Sequence, residues 1–270
     1  MNAVSDKTLF STASALLPPR DAHITIRGLY KSFAGQALYQ DLNLDFPKNQ
    51  VTSIFGPNGC GKSTLMNMIA GLVPVDAGQI LFAGKTLKET NIGYVFQNYR
   101  DALFPWMSAI DNVKYPMKLR GWSKKAIGER VAQLLHLFDV KFDVSRYSYE
   151  LSGGQQQTIC IMRAMATRPE VLFLDEPFSA LDYEMTMQIR ERLQAVLVDE
   201  PLSVVLVSHD LEEALYLADR ILMLSRRPTI IADILPFAAP RPRAVDITTS
   251  AEFIALKQTA LEIFRTQAYA

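Results

Sequence analysis

Val51-Thr52-Ser53-Ile54-Phe55-Gly56-Pro57-Asn58-Gly59-Cys60-Gly61-Lys62-Ser63-Thr64 is the stretch on which the reading of this chain turns. Val51 to Phe55 is a compact β-rich run, Gly56 to Gly61 reads as a turn, and Ser63 to Ala70 has helical character until Gly71 stops it. Gly56 to Ser63 fits G-x-x-x-x-G-K-[ST] in that strand, loop and helix context. A glycine-rich turn lets successive backbone N–H groups point at one anion, and the following helix adds the positive end of its dipole. Phosphate is the natural guest. Lys62 is expected to reach the β- and γ-phosphates as a point charge and the Ser63 hydroxyl to hold Mg²⁺. Cys60 is a variable position of the loop and is assigned no chemistry.

A second strand-like run, Val171 to Leu174, ends in Asp175-Glu176-Pro177, which places two carboxylates at the edge where open α/β sheets bind their ligands. Adjacent residues at a strand end diverge, so the two carry different roles. Asp175 is expected to assist the Mg²⁺ and Glu176 to orient and deprotonate an attacking water; two solvated acids at a polar strand end are the plainer alternative. His209 follows the strand Ser203 to Val207 and is expected at the same edge as a γ-phosphate contact, whereas His23 and His136 are read as structural.

Outward from these motifs, Ile24 to Phe46 shows short alternating apolar stretches broken by Gly28, Gly35 and Pro47, as in an antiparallel layer. Ser123 and Ser152 stand where each can cap a helix, the first with apolar residues Ile127, Val131, Leu134, Leu135 and Phe138 at helical spacing. Strands then alternate with helices, which means a parallel sheet. The expected organisation is a leader, 1–20; an α/β core from 21–97 and 166–225; a helical insertion, 98–165; and an extension, 226–270, with a hairpin around Thr229 to Leu235 and a helix near Glu252 to Arg265.

Composition sets the outer limits. Lys plus Arg and Asp plus Glu are 28 each in 270 residues, so no net field favours nucleic acid. The two cysteines, Cys60 and Cys160, have no neighbours at metal-ligand spacing, which argues against a zinc site and for a reducing compartment. No apolar run approaches the roughly 18 residues of a membrane-spanning helix, so attachment to a bilayer would need a partner.

Leu151-Ser152-Gly153-Gly154-Gln155, upstream of the acidic pair, is where the chain resembles the ATP-binding cassette ATPases. The phosphate loop, Gln97, the acidic pair, Ser179-Ala180-Leu181-Asp182 and His209 follow that family's order over roughly residues 24 to 225. The resemblance implies an α/β fold: a P-loop NTPase (RecA-like) core with an antiparallel β subdomain and an inserted α-helical subdomain. It implies ATP and Mg²⁺ as cofactors, with ATP bound by Phe33, Gly56, Pro57, Asn58, Gly59, Cys60, Gly61, Lys62, Ser63 and Thr64. Phe33 would stack on adenine, unless it is a core residue at a strand end. Glu176, His209, Gln97 and Lys62 would be catalytic, and Ser63, Gln97 and Asp175 would serve the metal; a solvated loop glutamine is the plainer reading of Gln97. Physically, Ser152 and the two glycines open a helix N-terminus, a second anion site. The resemblance implies that a second copy of the chain, or a homologous ATPase, offers Leu151 to Gln155 in trans to the nucleotide, in a twofold dimer with Asp182 at its seam; Asp182 also stands where a helix N-cap belongs. Thr158 departs from the family, many members of which carry arginine there.

Leu103-Phe104-Pro105-Trp106-Met107, with Leu211-Glu212-Glu213-Ala214 and Leu217-Ala218-Asp219-Arg220, is similar to the importer branch serving nitrate, sulfonates and taurine. The aromatic run is either a docking groove for a membrane partner or packing within the helical lobe. The resemblance thus implies a peripheral ATPase subunit on the cytoplasmic face of the cell membrane, driving integral permease subunits fed by a solute-binding protein. A soluble cassette ATPase acting on ribosomes or DNA, or the motor of an exporter, are the other readings.

Overall fold

The computed structural model describes residues 22–179, 181–200 and 202–269; the expected leader, 1–20, lies outside them. Strands β1 (Ala22–Phe33) and β2 (Gln36–Pro47) form a hairpin closed by Ala34 and Gly35, at φ 48° and 78°. Positive φ at both central residues gives the turn whose twist matches that of the strands. Gly28, expected to interrupt the layer, instead sits inside β1 at φ 61°, where the pairing register slips between Ile26 and Leu29. A bulge absorbs the extra residue and the strand continues.

The chain then runs through β3 (Val51–Phe55), α1 (Lys62–Ile69), β4 (Ala77–Phe82) and β5 (Ile92–Val95) into four helices: α2 (Tyr99–Ala102), α3 (Ala109–Leu119), α4 (Lys124–Leu137) and α5 (Gly153–Met165). Ser123 caps α4 by accepting from Ala126 N, and Ser152 caps α5 by accepting from Gln155 N, as their positions suggest. The return is β6 (Val171–Asp175), α6 (Tyr183–Asp199), β7 (Ser203–Val207), α7 (Leu211–Leu217), β8 (Arg220–Leu224), β9 (Ile231–Pro236) and α8 (Ala251–Tyr269). The antiparallel sheet has the order β2-β1-β4 and the larger sheet β5-β6-β7-β3-β8-β9, parallel except for β9.

Every residue of β3, β6 and β7 is buried, because both faces of the sheet are covered. Alternation along each strand splits the core in two. Val171, Phe173, Val205 and Val207 face the antiparallel sheet and α1, where Ile24, Ile26, Phe46 and Leu65 receive them. Leu172, Leu174, Val204 and Leu206 face the other way, onto Ile159, Leu193 and Leu215 of α5, α6 and α7. The inserted helices are anchored to the core by Arg130 of α4, only 2% exposed. It donates to the Met165 and Ala166 carbonyls at the end of α5, 2.7 and 3.3 Å away, and forks onto the Glu200 carboxylate after α6.

The C-terminal region differs from the sequence reading. The hairpin expected around Thr229 to Leu235 has its first arm earlier, in β8, and its second arm, β9, extends the large sheet. The boundary expected at 225 and 226 thus falls in the turn of one hairpin and separates no layer from another. Arg243 is buried and donates to the Leu215, Tyr216 and Ala218 carbonyls, capping the end of α7 from this extension. Among the described residues, no helix is long and apolar enough to cross a membrane.

Candidate functional site

Four neighbouring parallel strands, β5, β6, β7 and β3, end at one edge of the large sheet, and each carries one part of the expected site just past its last residue. β3 leads into the glycine-rich loop. Gly61 precedes α1 at φ 105°, which a side-chain-bearing residue adopts only under strain, and a Cβ at Gly56 would stand 2.7 Å from the Leu224 carbonyl oxygen of the adjacent strand. Lys62 is buried and curls back over the loop, its ammonium donating to the Gly56 and Pro57 carbonyls at 3.0 and 3.2 Å. A cation held by carbonyl dipoles, beside a helix N-terminus, favours an anion in the loop.

β6 delivers the carboxylates. Ser63 Oγ donates to Asp175 Oδ1 over 3.1 Å, and the Tyr94 hydroxyl of β5 lies 3.3 Å from Oδ2 and 2.7 Å from Asn67 Oδ1. Burial pushes the Asp175 carboxyl above its ordinary value, while the two hydroxyls pull it partly back. A buried carboxylate beside a hydroxyl is a hard-oxygen pair, which suits a dication that fills its remaining positions with phosphate oxygens and water. Glu176 follows at φ 45°, a left-handed conformation that costs a non-glycine residue about 1 to 3 kcal/mol. The turn, held by Glu176 N donating to the Val207 carbonyl at 2.9 Å, sends the two neighbouring carboxylates in different directions.

Glu176 instead meets Gln97 and His209. Gln97 Nε2, two residues past β5, donates to Glu176 Oε2 at 2.8 Å, and His209 Nδ1, two residues past β7, lies 3.4 Å from the same oxygen. The His209 turn is fixed on both sides: Ser208 Oγ donates to the buried Glu213 carboxylate, and Asp210 caps α7 by accepting from the Glu212 and Glu213 amides at 2.8 and 3.0 Å. The arrangement offers an anion cradle, a dication ligand pair, and a carboxylate flanked by an amide and an imidazole that can align and deprotonate a water.

Other sequence candidates lie apart from this edge. Ser152 and Gln155 form a capping box at the N-terminus of α5, with Ser152 N donating to Gln155 Oε1 at 3.0 Å. The same helix reaches the acidic turn through Gln157, whose buried amide donates to the Pro177 carbonyl at 2.6 Å. Asp182 caps α6 by accepting from Met185 N at 2.8 Å, and it remains exposed. Phe33 is 45% exposed beneath the Lys31 ammonium, 5.1 Å from the ring centre, so it is not a core residue. Thr158 donates to the Gly154 carbonyl one turn earlier, at 2.8 Å; nothing in the structure explains the departure at this position. The aromatic run divides: Leu103 is buried, Phe104 packs edge-on against Tyr115, and Trp106 is exposed beside a cavity of about 290 Å³ that Met107, Asp111, Tyr115 and Tyr147 also line.

Residues 39–179 match the family described as ABC transporter. The sulfate/thiosulfate import ATP-binding protein CysA of Burkholderia mallei is 41% identical over 211 residues, which cover 75% of this chain and 60% of that protein. This chain therefore spans about three-fifths of the length of that relative. The taurine import ATP-binding protein TauB of Escherichia coli O157:H7 is 35% identical over 245 residues, 88% of this chain and 95% of that protein. Among solved structures, a dimeric bacterial ABC transporter cassette superposes with a TM-score of 0.69 at 26% identity, over 80% of this chain and 99% of that one. The protein cbiO1 of Clostridium perfringens gives 0.73 at 22% identity, over 92% and 98%, and shows the fold. The sheet order, the inserted helices and the matched sequence agree: the chain belongs to the ABC transporter family, and its fold is that of the ABC ATPase cassettes.

Proposed function

We propose that this chain is the ATP-hydrolysing subunit of an importer. Two copies close around two Mg²⁺-ATP, and the closure drives permease subunits that carry a small oxyanion or sulfonate, such as taurine or nitrate. The observation that carries this reading is the convergence of loop 56–63, Asp175, Glu176, Gln97 and His209 on four adjacent strand ends, with a further anion-ready helix start at Ser152 on the inserted lobe.

The loop N–H groups and Lys62 bind the phosphate chain, and Phe33 supplies an exposed aromatic face for the base. Ser63 and Asp175 would hold the Mg²⁺, with Gln97 as a further candidate ligand, and the ion would supply neutralisation of phosphate charge. Glu176 takes a proton from the attacking water, Gln97 orients that water, and His209 contacts the γ-phosphate. One chain has two anion-gripping helix starts on separate lobes, and a head-to-tail pair uses both on each nucleotide, with Asp182 at the seam. The relatives' names speak of import and not of export, ribosomes or DNA, and the cargoes they name, sulfate or thiosulfate and taurine, all contain sulfur. The exposed Trp106 face on the inserted lobe suits a permease loop at the cytoplasmic side of the membrane, with a solute-binding protein beyond it.

The test is Mg²⁺-dependent ATP hydrolysis by the purified chain, with Lys62→Ala as the comparison. Turnover is expected to fall at least about a hundredfold in the variant; equal turnover would remove the reading. Co-purification with a multi-span partner, and stimulation of hydrolysis by one solute delivered by its binding protein, then identify the cargo.

A further inference from the structure

The turn of the β8–β9 hairpin, residues 225–230, has no role in any motif, yet it makes direct bonds to the phosphate loop across about 170 residues of sequence. Arg227 Nε donates to the Gly59 carbonyl at 2.8 Å, Thr229 Oγ1 to the Cys60 carbonyl at 2.6 Å, and the Tyr39 hydroxyl of β2 to the Gly61 carbonyl at 3.1 Å. Three consecutive carbonyls of the loop thus meet three side chains from outside it, and the Gly61 carbonyl also accepts from Leu65 N of α1 at 2.8 Å. Thr229 is itself tied down: it is buried, its N–H donates to the Leu38 carbonyl at 2.9 Å, and it bridges to Tyr39.

In a trans peptide unit the C=O and the N–H that follows it lie in one plane and point in opposite directions. Holding the Cys60 and Gly61 carbonyls outward therefore turns the Gly61 and Lys62 N–H groups inward, toward the space an anion would fill. Gly56, Gly59 and Gly61 make the loop conformationally permissive, and ordering such residues carries an entropy cost. A loop that must be ordered by its ligand binds more weakly than one already held.

We propose that Arg227 and Thr229 are positioning residues for a nucleoside triphosphate: they hold the phosphate loop in its anion-binding shape before the ligand arrives. This rests on the reading of the loop as the ATP site. The proposal makes the C-terminal hairpin a working part of nucleotide binding.

Two measurements on the full chain test it: the Kd of a fluorescent ATP analogue, and amide hydrogen exchange of the segment 56–63 without nucleotide. Thr229→Val keeps the shape of the side chain and removes the donor. It is expected to raise Kd roughly tenfold and to speed exchange in 56–63 while segments in β6 and α5 keep their rates. Arg227→Ala, at an exposed position that carries little folding risk, is expected to act in the same direction by a smaller factor, and Thr229→Ser to restore both readouts. Wild-type affinity in both donor-less variants overturns the proposal, whether or not their melting temperatures fall, and so does unchanged exchange in 56–63. If the unmutated chain binds no ATP analogue, the nucleotide reading fails separately and the exchange measurement alone decides whether the hairpin holds the loop.

Discussion

The Gln97 side-chain amide donates to Glu176 Oε2 over 2.8 Å, joining the residue that precedes the inserted helices to the carboxylate that follows them. The bond gives Glu176 a fixed direction, and His209 at 3.4 Å from the same oxygen gives it a second reference. If Glu176 is the base that activates water, Glu176→Gln leaves the loop, Ser63 and Asp175 untouched. ATP affinity is then expected to stay near wild type, while turnover drops at least about a hundredfold and a closed dimer accumulates with Mg²⁺-ATP. Light scattering with and without ATP, beside a hydrolysis assay, checks both halves. Wild-type turnover in the variant would sink the assignment.

Ser152 caps α5 on the inserted lobe, away from the bonds that unite the phosphate loop of its own chain. Ser152→Arg places a bulky cation where a second copy's nucleotide would approach the helix start. The monomer is expected to bind ATP as the wild type does and to lose ATP-driven dimerisation. Loss of ATP binding by the monomer would contradict the assignment in trans.

Asp175 gives a pH-dependent signature. Burial raises its folded-state carboxyl above the ordinary 3.8, so the folded protein keeps this proton at pH values where the unfolded chain has released it. Ionisation therefore costs stability: the cost is absent below the ordinary value, grows up to the raised one, and is constant above it. Asp175→Asn removes the cost and, by calorimetry in a chelator, is expected to melt above wild type near neutral pH. The gap should close as the pH falls to about 4, and Mg²⁺-dependent hydrolysis should be lost throughout. A variant that melts below wild type at neutral pH would show that the hydroxyl bonds outweigh burial.

Arg130 is one attachment of the inserted lobe to the core, beside the packing of α5 on the sheet. Arg130→Met fills much of the same space but leaves the Glu200 carboxylate without its cation, the Ala166 carbonyl without the guanidinium, and the Met165 carbonyl, which also accepts from Arg168 N, with one bond fewer. Breaking a buried pair in this way costs about 3 to 5 kcal/mol. Urea midpoints should show the loss, and Arg130→Lys should recover only part of it, because an ammonium cannot reproduce the fork. A loss under about 1 kcal/mol would mean that the lobe is held elsewhere.

Legibility in the sequence followed the range of the interaction that fixes each part. The phosphate loop spells its shape in eight contiguous residues, and β6 announces itself as a buried run ending in two acids, so both could be read directly. His209 became readable only through its order in the chain, since one histidine after one strand carries little by itself. β4 leaves no strand pattern in the sequence because Ala77 to Gln79 are all exposed and the strand lacks alternation. Tyr94 reads as an ordinary strand aromatic; its hydroxyl matters because β5 pairs with β6, a partnership set by the sheet. Arg227 and Thr229 act on backbone carbonyls, which have no residue identity and so leave no pattern for a motif to record.

The inserted helices leave the sheet after β5 and re-enter it at β6, and these two strands are hydrogen-bonded neighbours. Paired strands stand about 4.8 Å apart, so the chain leaves for the lobe and returns from it at two crossings side by side, while α5 also packs on the sheet through Ile159. Gln97 sits at the outgoing crossing, and the Gln157 bond to the Pro177 carbonyl grips the turn just past the incoming strand. The acidic turn is therefore tied to the inserted lobe at both of its chain crossings.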